Sequence, residues 1–216
     1  MGPEQLAPLG PRYLNELNPA QLTRAITALV GAFEELDLAN LSWAYWHACA
    51  ATPHIAPAHF GAAIEALQTA YIKSRPGVVA ETWAPRAIWK GLRATMAAAV
   101  EGADISEQAK AALKVKLATL NTVDQRPRLK AVMAAIGLQL GSDEDAAWRR
   151  RNKAAHGTPV AEGEELAAIR DMKLLKGLFG RLLLRITNAA DQYIDYTSPH
   201  FVYRSLASAP PDIPAA

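Results

Sequence analysis

Large apolar residues recur every three or four positions through most of this chain, and no stretch alternates apolar with polar residues as a half-buried strand does. A chain with that single period builds a core in one way: its helices lay their apolar stripes against one another. The expectation is an all-α helical bundle, and 216 residues suffice for one sizeable core.

Proline and glycine divide the pattern. Residues 1–18 carry Pro3, Pro8 and Pro11 and read as a flexible lead-in, with one helical domain over 19–204. Asn18-Pro19 is a helix start, an N-cap residue followed by a first-turn proline. Leu22, Ile26, Leu29, Val30, Phe33 and Leu36 then form an amphipathic stripe. Further helices are expected over 41–51, 58–74, 81–101, 106–121, 126–140 and from Ser142 onward, with a long closing helix over about 163–196. Gly177 and Gly180 inside it suggest a close helix crossing or a weak spot. The prolines at 210, 211 and 214 make 205–216 an expected disordered tail.

Composition excludes several functions. Twenty-three Lys and Arg against 21 Asp and Glu give a net charge of +2, so nucleic-acid binding must come from local clustering. One cysteine, Cys49, allows no internal disulfide and no cysteine zinc cluster within one chain. His47, His54 and His59 flank a proline-bounded loop without an acidic residue at ligand spacing, so no metal and no cofactor are expected. Trp43, Tyr45 and Trp46 read as core or dimer interface before they read as a base-stacking platform. With no spanning-length apolar run and no signal-peptide pattern, the expected location is the cytoplasm, off the membrane.

One stretch brings chemistry together. Arg149, Arg150 and Arg151 precede Asn152, Lys153 and His156, and Gly157-Thr158-Pro159 stops the helix. On a helical wheel Arg149, Asn152, Lys153 and His156 share a face, whereas Arg151 lies about 140° from His156. At a helix C-terminus the dipole favours the imidazolium of His156, which suits a proton donor near neutral pH. The same residues also read as an ordinary helix end, with basic side chains in the last turn and a capping glycine.

Arg151-Asn152-x-x-x-His156-Gly157 resembles the signature of the HEPN superfamily, in which an arginine precedes a histidine by four to six residues near a helix end of an all-α bundle. Phe60-Gly61-Ala62-Ala63-Ile64-Glu65-Ala66-Leu67 is similar to the early helix of ApeA-like HEPN modules, with a glutamate inside an apolar stripe. With no β-rich region before residue 20, the resemblance implies a stand-alone module or an excised C-terminal domain.

The resemblance implies a metal-independent endoribonuclease that cuts RNA by attack of the ribose 2′-hydroxyl on the adjacent phosphate. It further implies a homodimer with two motif copies in one cleft, acting as a toxin or antiphage-defence effector with an antitoxin or upstream sensor. In that reading His156 is the general acid/base, Arg151 holds the phosphate, Asn152 orients one of them, and Glu65 positions Arg151. Arg149, Arg150 and Lys153 form the phosphate-binding patch. Which arginine works with His156 stays open: the last turn unwinds, Arg151 meets the partner's motif, or Arg149 shares the role. The alternative is a non-catalytic HEPN-like module that dimerises or binds a nucleotide or a protein.

Overall fold

The computed structural model describes residues 19–155, 160–198 and 202–212. Among them eight helices pack as a bundle: α1 (Pro19–Gly31), α2 (Leu38–Ala50), α3 (Ala56–Ser74), α4 (Arg86–Glu101), α5 (Glu107–Thr119), α6 (Gln125–Ala135), α7 (Ser142–Ala155) and α8 (Glu165–Thr187). The all-α architecture with a long C-terminal helix therefore stands, and no described helix is long and apolar enough to cross a membrane.

Helix α3 is the hub, packed by α2, α7 and α8, with a lighter contact from α6. Its stripe of Phe60, Ile64, Leu67 and Tyr71 is buried, as helical spacing requires of a central element. Leu174, Leu175, Leu178 and Leu182 of α8 close the core from one side, and Leu129, Val132 and Met133 of α6 join it.

Several boundaries differ from expectation. Helix α6 stops before Gly137, whose φ of 66° is the left-handed conformation that glycine adopts most cheaply, rather than running to Gly141. Helix α8 ends at Thr187 because Asn188 turns left-handed at φ 55° and caps it through N–H bonds to Leu184 and Arg185. The residues beyond form two three-residue strands, β1 (Gln192–Ile194) and β2 (Tyr203–Ser205), paired antiparallel with Tyr193 opposite Arg204. The periodic pattern of the sequence concealed them, since three residues are too few for alternation to show. The described part of the expected tail is likewise packed: Leu206 is buried, Pro210 sits against Gly141, and Asp212 accepts a hydrogen bond from Ser142.

Helices α4 and α5 form a hairpin that packs chiefly on itself. Its base is clamped where Trp83 N–H bonds to the Asn121 carbonyl at 2.9 Å and the Asn121 side chain pairs with both backbone groups of Ala84. Pro85 delays the helix start to Arg86, and Ser106 caps α5 by accepting from the Ala109 N–H. Gly91 and Gly177 lie in helix interiors where an added Cβ meets nothing within 4 Å, so the close crossing expected at Gly177 and Gly180 is absent. Gly91→Ala and Gly177→Ala should each stabilise by about 0.5–1 kcal/mol. Differential scanning calorimetry should register about 2–4 °C per kcal/mol for a chain of this size.

Candidate functional site

Helix α7 turns a mixed face inward: Glu144, Ala147, Trp148 and Arg151, at i, i+3, i+4 and i+7, are all buried. That face excludes Arg149 and Asn152, which the wheel places on the other side; the side chain of Arg149 is largely in solvent and Asn152 is exposed. Three consecutive arginines therefore meet three different fates. Arg149 stays outside, its Nε 3.4 Å from the Asp145 carbonyl. Arg150 reaches across to α8 and makes a two-pronged pair with Asp171 at 2.7 and 2.6 Å, which raises its guanidinium pKa. Arg151 turns into the core, only 7% exposed.

Arg151 is held on every side. One terminal nitrogen donates to the Trp148 carbonyl at 2.7 Å and the other to Glu65 Oε1 on α3, while the guanidinium carbon lies 3.4 Å from the centre of the Trp148 ring. Its aliphatic stem crosses α3 at Gly61, where an added Cβ would fall 2.5 Å from Arg151 Cδ and 2.8 Å from Nε. Gly61, Glu65 and Gln68 share one face of α3, at i, i+4 and i+7. Gln68 is fully buried, and neither amide atom has a described partner; the same holds for Trp148 Nε1. Burying a polar atom without a partner costs about 1–3 kcal/mol.

Of the expected site residues, the structure brings Arg151 and Glu65 together from 86 positions apart and leaves Asn152 and Arg149 at the surface. Arg150, expected to bind phosphate, spends its two-pronged edge on Asp171. His156 lies outside the described residues, and so does the side chain of Lys153. Asp145 faces the outer side of α7, where hydrogen bonds from Arg126 hold its carboxyl below the usual carboxylate range.

Glu65 also borders a groove of about 720 Å³ whose lining includes Glu34, Glu35 and Asp37 against Lys73. Three further carboxylates repel a phosphate backbone, so that groove is no path for RNA to Arg151. The tryptophan expectation divides: Tyr45 stacks on Phe179 at 5.3 Å beside the core, whereas Trp43 and Trp46 are mostly in solvent. Among the described residues no group of three His, Cys, Asp or Glu could hold a metal ion.

Sequence reasoning assigned no role to Gly61, Trp148 or Asp171. A glycine inside an otherwise apolar helical stripe is a signal for a close approach, and Gly61 carried it. Nothing local marked Asp171 as the partner of Arg150, because that pairing depends on how α7 lies on α8. Compared with protein-family models, curated proteins and solved structures, the chain shows no match.

Proposed function

We propose that this chain is a metal-independent endoribonuclease of HEPN type. The observation that carries the reading is the Arg151–Glu65 pair: an arginine five residues before His156 is fixed at the end of α7 by the glutamate of the helix that resembles the early HEPN helix.

In this mechanism the 2′-oxygen attacks the adjacent phosphorus, the bond to the 5′-oxygen breaks, and the products are a 2′,3′-cyclic phosphate and a 5′-hydroxyl. His156 moves the proton, taking it from the 2′-hydroxyl and delivering it to the leaving 5′-oxygen. Arg151 stabilises the charge that builds on the phosphate, and Glu65 with Trp148 keeps its planar guanidinium aimed, with two of its five N–H donors used in doing so. Asn152, exposed one turn before His156, orients the histidine or the phosphate. The biological setting that fits such chemistry is a toxin or antiphage effector restrained by a partner.

The burial of Arg151 favours a second reading, a non-catalytic module in which the pair with Glu65 holds two helices together. One assay separates the two. Purified wild type, His156→Ala and Arg151→Ala are incubated with RNA in EDTA and the product ends analysed. The nuclease reading expects cyclic-phosphate ends from wild type and a loss of about 10²–10⁴-fold in His156→Ala, the range for removing general acid–base catalysis. Cleavage that persists in His156→Ala places the site elsewhere, and no cleavage by wild type favours the binding module.

A further inference from the structure

The amphipathic stripe of α1 is largely open rather than buried: Leu22, Ile26, Val30 and Phe33 of α1 and the turn after it are 50, 53, 67 and 44% exposed. Between α1, α2 and α8 runs a groove of about 450 Å³. Leu38, Leu41 and Phe179 form its buried floor, and the exposed side chains of Val30, Phe33 and Trp46 form its rim. Tyr45, stacked on Phe179 at 5.3 Å, extends the floor. Gly180 borders the groove from α8, and a Cβ there would meet nothing within 4 Å, so the open space reaches the α8 backbone.

One charge lines this apolar space. Lys176 of α8 is half-buried, with its Nζ 4.4 Å from the centre of the Tyr196 ring, and no Asp, Glu or Arg lines the groove beside it. Among the described residues no carboxylate pairs with Lys176. Partly desolvated charges are normally paired, and an aromatic face compensates an ammonium only in part. Concave, mostly apolar sites of about 300–1,000 Å³ with a few placed polar groups are what small ligands occupy.

We infer that the α1–α2–α8 groove binds a small amphipathic monoanion, an apolar body ending in one carboxylate, of which a medium-chain fatty acid is the simplest member. The apolar body lies over Leu41, Tyr45 and Phe179, and the carboxylate accepts from the Lys176 ammonium. A neutral apolar ligand would leave Lys176 unpaired, and a cation would meet it as a like charge. A nucleotide would bring several phosphate charges to one ammonium and press polar base edges against side chains that cannot bond them. No residue of α7 lines the groove, so the site is separate from Arg151 and does not rest on the nuclease reading.

Isothermal titration calorimetry with decanoate tests this on wild type, Lys176→Met, Gly180→Leu and Lys90→Met, with circular dichroism as the check on folding. Wild type should bind one decanoate per chain, and octanoate roughly 15-fold more weakly, the effect of two fewer buried methylenes at about fourfold each. Decyltrimethylammonium, with the same chain and the opposite charge, should bind at least about 10-fold more weakly than decanoate. Lys176→Met should raise the decanoate Kd about 10-fold or more, because a hydrogen bond between charged groups is lost. Gly180→Leu should abolish binding, since its side chain fills the groove from a helix that accepts leucine more readily than glycine. Lys90→Met removes an equal charge from exposed α4 and should leave the Kd unchanged. Decanoate that binds Lys176→Met or Gly180→Leu as well as wild type is adsorbing on the open apolar surface, which overturns the inference. A weakening in Lys90→Met equal to that in Lys176→Met overturns it as well, and so does equal binding of the two decyl ions, a comparison that uses wild type alone and stands whatever the variants do to the fold. The absence of saturable binding also overturns it; a wild-type dimer that Gly180→Leu dissociates in sedimentation would then assign the groove to a second copy.

Discussion

Gly61→Ala is expected to expel Arg151 from its place between α3 and α7. In most helix interiors this substitution stabilises by about 1 kcal/mol, since alanine restricts the unfolded chain. Here the new Cβ would sit 2.5 Å from Arg151 Cδ and 2.8 Å from Nε. These atoms are in the middle of the side chain, and the guanidinium beyond them is pinned by Glu65, the Trp148 carbonyl and the Trp148 ring. The stem cannot move aside without breaking those contacts. Overpacking of this kind costs about 1–3 kcal/mol, and Glu65 would lose its partner as well. The net change should be a loss of stability, opposite in sign to Gly91→Ala, which makes the same chemical change in open space. Urea midpoints for the two variants check this directly. Under the nuclease reading Gly61→Ala should also lose RNA cleavage to the same extent as Arg151→Ala, although residue 61 touches no substrate. Equal stability gains at both glycines would mean that Arg151 is not held as described.

Arg181→Met should be the most destabilising single change of those considered. Arg181 has no solvent exposure; it binds both oxygens of Glu144 at 2.7 and 2.6 Å and donates to the carbonyls of Gln139 at 2.8 Å and Ser208 at 3.3 Å. One side chain thus joins α8, the start of α7, the loop before it and the segment after β2. Removing it strands a buried carboxylate, a loss of about 3–5 kcal/mol, a large share of the stability of a typical domain. Glu144 has one further donor, the Gly141 N–H at 3.0 Å, and its burial pushes the carboxyl pKa upward against the pull of Arg181. The double variant Arg181→Met/Glu144→Leu removes both charges and should recover most of the loss, because apolar groups of similar volume replace a buried ion pair at little cost. Denaturant unfolding of the two singles and the double forms the cycle that isolates the coupling. A double variant no more stable than Arg181→Met would show that the carbonyl contacts, not the ion pair, dominate.

The candidate site was only half legible in the sequence. The 3.6-residue period, the proline starts and the glycine stops are local properties, so the number of helices and most of their starts follow from short windows of residues. The motif positions Arg151, Asn152 and His156 and the helix carrying Glu65 could be picked out in the same way. The wheel, however, placed Arg149 with His156 as the working face and left the arginine question open. Long-range packing decides where each arginine points: α7 must bury Ala147 and Trp148 against α3 and α8, and that rotation sends Arg151 inward to Glu65 and Arg150 outward to Asp171. The β hairpin and the packed segment after it were missed for a related reason. The segment is held by contacts of Ser208, Asp212 and Pro210 with Arg181, Ser142 and Gly141, and the hairpin touches Arg181 through the Tyr193 ring, none of which is a neighbour in sequence.

By itself, then, the sequence determined the secondary-structure type, the approximate helix boundaries and the residues able to do chemistry, because each depends on interactions within a few positions. The tertiary structure alone decided which arginine meets Glu65, why position 61 is glycine, and which part of the α1–α2 stripe stays open to solvent. Those depend on the angle at which helices pack, set by side chains that meet from distant parts of the chain.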